Sequence, residues 1–252
     1  MIPKILHYVW VGPRSMPDED HKRVEAWRVR LPDWTFSFWG NNDVDFESPY
    51  LREAFAVRAW NRVSDYTRMA ALAQFGGVYL DTDVEVVRDL EPLLQHHAFL
   101  GCQNGGEEPD EIVNGAVLGA EPGHWLPRTI RTYFDEKLSG RADLGAFSGP
   151  GLLTQVLREH GLQSYVDDPI DVDGVTVMPK RYFYPYGWRE TFSDAVITSD
   201  TFAIHHWAAT WVRKPTFRFR ARRKALDLSC RLMPALALRI ARATAGGGNK
   251  TG

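Results

Sequence analysis

Gly76-Gly77-Val78-Tyr79-Leu80-Asp81-Thr82-Asp83 joins a helix stop, a short apolar strand and two carboxylates in one unbroken stretch. Paired glycines end a helix well, because the residue just beyond the last turn commonly needs φ > 0. Val78-Tyr79-Leu80 suits a buried strand. Two carboxylates two apart at its end can serve a divalent cation and a sugar or ribose hydroxyl together, which is what holding a nucleotide diphosphate requires. The spacing alone says little, since Asp18/Asp20, Asp43/Asp45 and Asp171/Asp173 share it. Only Asp81/Asp83 directly follows an apolar run with a helix candidate upstream. The alternative is an acidic turn facing solvent; the apolar flanks argue against it.

Upstream, Val63, Tyr66, Met69, Ala70, Leu72 and Ala73 predict a helix over Asn61–Phe75. Asp65 and Arg68 share a face of it at i and i+3, and Ser64 joins Arg68 at i+4. They read either as a surface ion pair worth about 0–1 kcal/mol or as a donor site, with Asp65 accepting from sugar hydroxyls and Arg68 steadying a sugar or phosphate oxygen. Strands are expected at Ile5–Val11, Trp34–Trp39, Val78–Leu80, Val84–Val87, Ala98–Cys102, Ile112–Leu118, Val175–Met178 and Phe202–His206. Further helices are expected from about Asp18 to Arg30, His124–Leu138 and Gly151–His160. Acids crowd the start of the first and Arg28 and Arg30 its end, as the helix dipole prefers. Alternating strands and helices predict an α/β layered fold with ligands beyond the carboxyl ends of the strands.

The chain of 252 residues is 44% hydrophobic and 25% charged, with a net charge of −2, an ordinary globular composition. That balance conceals a basic stretch, residues 213–242, with ten Lys/Arg against Asp227 alone. The expected organisation is a domain over 1–212, a basic amphipathic helical tail over 213–244 and a Gly-rich disordered end over 245–252. The tail reads as a peripheral contact with an anionic leaflet or as a helix packed on its own domain or a partner. Cys102 and Cys230 cannot build a disulfide framework or a cysteine zinc site, so a reducing compartment is expected. No run approaches the length of a membrane span. The expected location is cytoplasmic, peripheral at the inner face of the cell membrane if the tail binds it, with no nucleic-acid partner.

Other candidates are less distinctive. Trp10 closes the first strand on an indole that can stack on a nucleobase, for about 0.5–1.5 kcal/mol beyond burial, or sit in the core. His205-His206-Trp207 and Trp211 form a late cluster in which an imidazole could complete a metal's coordination. Adjacent strand residues point to opposite faces, so at most one of the two histidines is expected to meet the metal. Asn114 could bond a sugar hydroxyl, and Gly149-Pro150-Gly151 could be a tight turn walling a pocket; each also has a purely structural reading.

Four blocks in this order resemble the DXD-containing sugar-transferase family, glycosyltransferase family thirty-two, which includes capsular-polysaccharide enzymes and initiating fungal mannosyltransferases. They are residues 2–10 (IPKILHYVW), 64–68 (SDYTR), 76–83 (GGVYLDTD) and 203–207 (AIHHW) running on to Trp211. The resemblance implies a GT-A fold, a Rossmann-like sandwich with a mixed central sheet, a UDP- or GDP-sugar donor, Mn²⁺ or Mg²⁺, and retention of anomeric configuration. It implies Asp83 as direct metal ligand and Asp81 as a contact to ribose or donor sugar, with Arg68 completing the catalytic set. Asp65, Arg68 and Thr82 would hold the donor, and Trp10 and Ser64 would line the nucleotide site. His206, favoured over His205, would supply a further metal ligand, and Trp211 would lie near the diphosphate. Many relatives carry Ser before that last Trp, where this chain has Thr210.

The acceptor would be a glycan or a lipid-linked sugar, in surface polysaccharide synthesis. Charge builds on the leaving diphosphate during transfer, so cationic groups there stabilise the transition state more than the ground state. No side chain stands out as a dedicated nucleophile, which favours front-face substitution over a double displacement. Two other functions fit parts of the pattern. Val78–Val84 also matches a haloacid-dehalogenase phosphatase or phosphotransferase with Asp81 as nucleophile, and a non-catalytic nucleotide-sugar-binding module tethered by the tail remains open.

Overall fold

A computed structural model describes residues 1–140 and 149–208. The strands are β1 (Ile5–Val9), β2 (Thr35–Trp39), β3 (Gly77–Leu80), β4 (Val84–Val86), β5 (Ala98–Cys102), β6 (Val113–Ala120), β7 (Ile170–Val172), β8 (Val175–Met178) and β9 (Ala203–His205). The helices are α1 (Asp18–Arg30), α2 (Pro49–Ala56), α3 (Trp60–Phe75), α4 (Trp125–Tyr133) and α5 (Gly149–Glu159). Seven strands form one sheet in the order β2-β1-β3-β6-β5-β8-β7, and β4 pairs with β9 in a second, two-stranded sheet. The large sheet is mixed: β2/β1, β1/β3 and β5/β8 are parallel, whereas β6 runs antiparallel between β3 and β5. The expected α/β layering with a mixed sheet is present.

Alternation along the strands divides the core between the two faces of the sheet. Val9 and Tyr79 face α3 and pack with its Val63, Tyr66, Met69 and Leu72. Leu6, Tyr8, Val78 and Leu80 face the other way and pack with Val24 and Trp27 of α1. Burial of side chains such as Val63, Met69 and Leu72 is worth about 1.5–3 kcal/mol each, and it locks α3 to the sheet. On the opposite face, the Trp27 indole donates to Val84 O at 2.9 Å, fastening α1 to the segment just after the acidic pair.

The glycine pair lets α3 fold straight back into β3. Gly76 has φ +62° and its N–H donates to Leu72 O at 3.0 Å, closing the helix. Gly77 has φ +106°, and a Cβ there would lie 2.5 Å from Ile5 O, inside the β1/β3 ladder. Neither position admits a side chain without strain. Beside this corner, His7 Nε2 meets Gly76 O at 2.8 Å and its Nδ1 accepts from the Trp39 indole at 3.1 Å. Burial pushes the His7 pKa down, only partly offset by its bond to Gly76.

Several boundaries differ from expectation. β1 stops at Val9 because Gly12 turns at φ +105°. The helix expected over His124–Leu138 is α4 followed by a wider π-helical turn at Phe134–Leu138. That turn places Asp135 where it accepts from Ser48 at 2.5 Å and from Tyr66 at 2.8 Å. Gly149-Pro150-Gly151, expected as a tight turn, is instead the first turn of α5. Helix α2, capped by Ser48, and strand β7, the outer partner of β8, were not expected. Among the described residues no helix is long and apolar enough to cross a membrane. The basic stretch 213–242, with the tail and terminal boundaries drawn through it, lies outside the described residues.

Two stability predictions follow from this corner. Gly77→Ala should lower the unfolding free energy by about 2–3 kcal/mol in urea titrations, since it combines a positive φ with a backbone clash. His7 is held neutral in the fold and protonates more easily when unfolded. Its contribution is therefore complete above its unfolded pKa of about 6.5 and lost as pH falls through the lower folded value. His7→Gln should flatten the fall in melting temperature between about pH 7 and pH 5.

Candidate active site

Strand β3 delivers Asp81 just beyond its carboxyl end, and the loop that follows carries Asp83. Asp81 N–H still donates to Ala116 O of β6, at 2.9 Å, so the ladder holds the backbone one residue past the strand. Its side chain follows Tyr79 onto the α3 face, where Oδ1 accepts from Tyr79 OH at 2.7 Å and from Arg68 Nη2 at 3.0 Å. The same Arg68 nitrogen lies 3.1 Å from Asp65 Oδ1, and the guanidinium sits 4.5 Å from the centre of the Tyr79 ring. Ser64 Oγ meets Tyr79 OH at 3.2 Å. Ser64, Asp65 and Arg68, on one face of α3, thus converge with Asp81 around a single phenol.

Arg68 is buried, and its Nε has no hydrogen-bond partner among the described residues. Burial opposes its charge, but Asp81, Tyr79 and Asp65 outweigh burial and hold the guanidinium above its usual pKa. Burial pushes Asp65 up, with Arg68 pulling it down. Space for this network comes from glycines on neighbouring elements. A Cβ at Gly115 would lie 3.2 Å from Arg68 Nη1, and one at Gly149 would lie 3.1 Å from Asp65 Oδ2. The amino end of α5 therefore backs onto Asp65, where a helix dipole favours negative charge.

Asp83 sits on the other side of the loop and is buried. Its Oδ1 lies 3.3 Å from His205 Nε2, and its Oδ2 accepts from Ala208 N–H at 2.7 Å. Burial works against its charge, yet His205 and the Ala208 amide more than compensate and bring its pKa down to about 2. Ligand atoms of Asp81, Asp83 and His205 all lie within 4.8 Å of one another. Two carboxylates and an imidazole make a donor set suited to a hard or borderline divalent cation, and the His205 Nδ1 is buried with no partner among the described residues. The residues present fit a divalent cation.

The structure reverses the expected order of the two histidines. Strand β9 turns His205 toward Asp83 and sends His206 the opposite way, where Nε2 meets Glu85 at 2.8 Å and Nδ1 meets Tyr186 OH at 3.2 Å. Only the His206 backbone touches the pair, its N–H donating to Asp83 O at 3.1 Å. Thr82, expected to face the donor, is buried with its hydroxyl on Asp20 Oδ2 at 3.3 Å. Asn114 is occupied inside the sheet, its amide donating to Gln103 at 2.7 Å and its Oδ1 accepting from Ala116 N–H at 2.8 Å. Trp10 is half-buried; its indole donates to Arg14 O at 2.7 Å. Thr210 and Trp211 lie outside the described residues.

Three residues at the site were not anticipated. Tyr79 had a local signal, because two residues before Asp81 is the same strand face. Asp20 and Tyr184 had none. Asp20, buried on α1, bonds Arg23 at 2.9 Å as well as Thr82, and its pKa is raised by burial and by Asp83. Tyr184 OH accepts from Val117 N–H and donates to Asn114 O, both at 3.1 Å, and its ring stands edge-on to His205.

Comparison with known proteins agrees with this geometry. Residues 17–100 match the family described as glycosyltransferase sugar-binding region containing DXD motif, and residues 121–221 match the alpha 1,4-glycosyltransferase conserved region. The chain is 32% identical over 155 residues to lactosylceramide 4-alpha-galactosyltransferase of Rattus norvegicus, covering 58% of this chain and 40% of that protein. It is 30% identical over 173 residues to the Homo sapiens protein of that name, covering 65% and 45%. It thus spans less than half the length of these two relatives. The solved PaToxG glycosyltransferase superposes with a TM-score of 0.53 at 16% identity, over 63% of this chain and 69% of that one, a likeness of fold alone. The fold is GT-A-like and Rossmannoid, and over residues 17–100 and 121–221 the chain is similar to DXD-motif glycosyltransferases.

Removing the cation shared by Asp65 and Asp81 leaves two carboxylates facing each other in a partly buried site. Arg68→Met should therefore lower the unfolding free energy by about 3 kcal/mol in metal-free buffer, read by chemical denaturation.

Proposed function

We propose that this chain is a metal-dependent, retaining glycosyltransferase that moves a sugar from a UDP- or GDP-sugar to a glycan or glycolipid acceptor. The observation that carries the reading is the convergence of Asp81, Asp83 and His205 at one strand tip, with Arg68 across Asp81. Asp83 and His205 would hold Mn²⁺ or Mg²⁺, with Asp81 shared between that ion and the donor. The ion, when bound, would neutralise charge on the departing diphosphate. Asp65 would accept from sugar hydroxyls, and Arg68 would hold Asp81 in place while offering a donor to a sugar or phosphate oxygen.

Retention is supported by the names of the mammalian relatives, which specify an alpha linkage; made from an α-linked donor, that product keeps its configuration. Those names also suggest a galactosyl donor and a lactose-ended glycolipid as the first pair to test. A place in surface polysaccharide synthesis, within family thirty-two, rests on the sequence blocks. The phosphatase reading has less support, since Asp81 Oδ1 is already bound by Tyr79 and Arg68 and β3 is flanked by antiparallel β6.

UDP- and GDP-sugars screened with Mn²⁺ and lactose should reveal one donor that releases nucleotide diphosphate. Asp83→Asn should reduce that release at least about 100-fold and weaken Mn²⁺ binding measured by calorimetry. His205→Ala should weaken Mn²⁺ binding far more than His206→Ala. Nucleotide binding with no turnover of any donor would instead support the non-catalytic module, and phosphate release from simple phosphomonoesters would support the phosphatase.

A further inference from the structure

Beyond β8 the chain makes a tight turn that neither the acidic tip nor the core requires. Glu190 N–H donates to Gly187 O at 2.9 Å, and Gly187 N–H donates back to Glu190 Oε2 at 2.7 Å. Trp188 and Arg189 are the central residues of this doubly closed turn. Trp188 is 49% exposed, and the Arg189 guanidinium lies 5.7 Å from its ring centre.

Both flanks of the turn are fastened to His206 and Trp207, just beyond the strand that carries His205. Tyr186 O accepts from the Trp207 indole at 3.0 Å, and Tyr186 OH meets His206 Nδ1 at 3.2 Å. Phe192, on the far flank, packs on Tyr186 at 5.4 Å and edge-on to His206 at the same distance. Trp207 in turn lies 4.3 Å from the His205 ring. Trp188 is two residues from Tyr186, about 7 Å of chain. The exposed indole is therefore tied, through Tyr186 and Trp207, to the segment that follows His205.

We propose that Trp188 and Arg189 form an acceptor subsite, the indole stacking on the C–H face of a sugar ring and Arg189 donating to its hydroxyls. The proposal rests on the transferase reading and adds to it where the acceptor binds. A two-torsion aromatic on a closed turn offers contact area at little cost in conformational entropy, and the guanidinium supplies donors only, which suits hydroxyl acceptors. An anionic membrane surface fits less well, because Glu190 places a carboxylate in the same turn.

Saturation-transfer NMR of the full chain with lactose, maltose, cellobiose and mannobiose should show at least one disaccharide bound, with the signal lost in Trp188→Ala and kept in Trp188→Phe. With a donor and acceptor that support transfer, Trp188→Ala should also shift the partition of donor between acceptor and water about tenfold toward water. Absence of disaccharide binding to the wild type, or equal binding by Trp188→Ala, overturns the subsite. So does a loss in Trp188→Ala confined to binding of phosphatidylglycerol vesicles. A wild type that binds the disaccharide through Trp188 but consumes no donor would sink the transferase reading and leave the sugar contact standing.

Discussion

The guanidinium of Arg68 is what allows acidic groups to gather at the end of β3. Without a cation between them, Asp65 and Asp81 would repel across a partly buried gap, and neither would keep its charge cheaply. With Arg68 in place, Tyr79 can donate to Asp81 and lie flat beneath the guanidinium. The glycines at 115 and 149 make room for it. The geometry of the tip is therefore set by a fixed internal charge before any ligand arrives, which is the preorganisation that electrostatic catalysis uses.

A second constraint is the division of labour between the two faces of one loop. Tyr79 and Asp81 turn toward α3, while Thr82 turns toward α1 and is held there by Asp20. Asp83 then meets His205 of β9 and, beyond the strand, the Ala208 amide. Three consecutive residues thus answer to three separate elements. Each carboxylate acquires its own environment: Asp81 has Arg68 and a phenol, and Asp83 has an imidazole and a backbone amide. Two acids of the same type can then take different roles.

What could be seen in the amino-acid sequence was what is decided locally. The stretch from Asn61 to Asp83 announces helix, stop, strand and acidic pair, because periodicity and paired glycines act over a few residues. The edges of the site were harder. Choosing between His205 and His206 required the phase of β9, which its pairing with β4 sets and no short-range pattern reveals. Asp20 read as an ordinary first-turn acid of α1; only the docking of that helix brings it to Thr82. Tyr184 comes from a segment without strand or helix periodicity. Thr82 was expected at the donor from the family resemblance and Asn114 from its amide's capacity to bond a sugar hydroxyl, and both side chains are hydrogen-bonded inside the protein.

The antiparallel pairing of β4 with β9 joins residues more than a hundred positions apart, and the imidazole facing Asp83 comes from the later strand. A ribosome must release almost the whole domain before that third donor can arrive. Until then Asp83 has neither its imidazole nor the Ala208 amide, so a partly made chain carries an incomplete cage. The three groups that could hold a divalent cation therefore come together only once the late strand has paired.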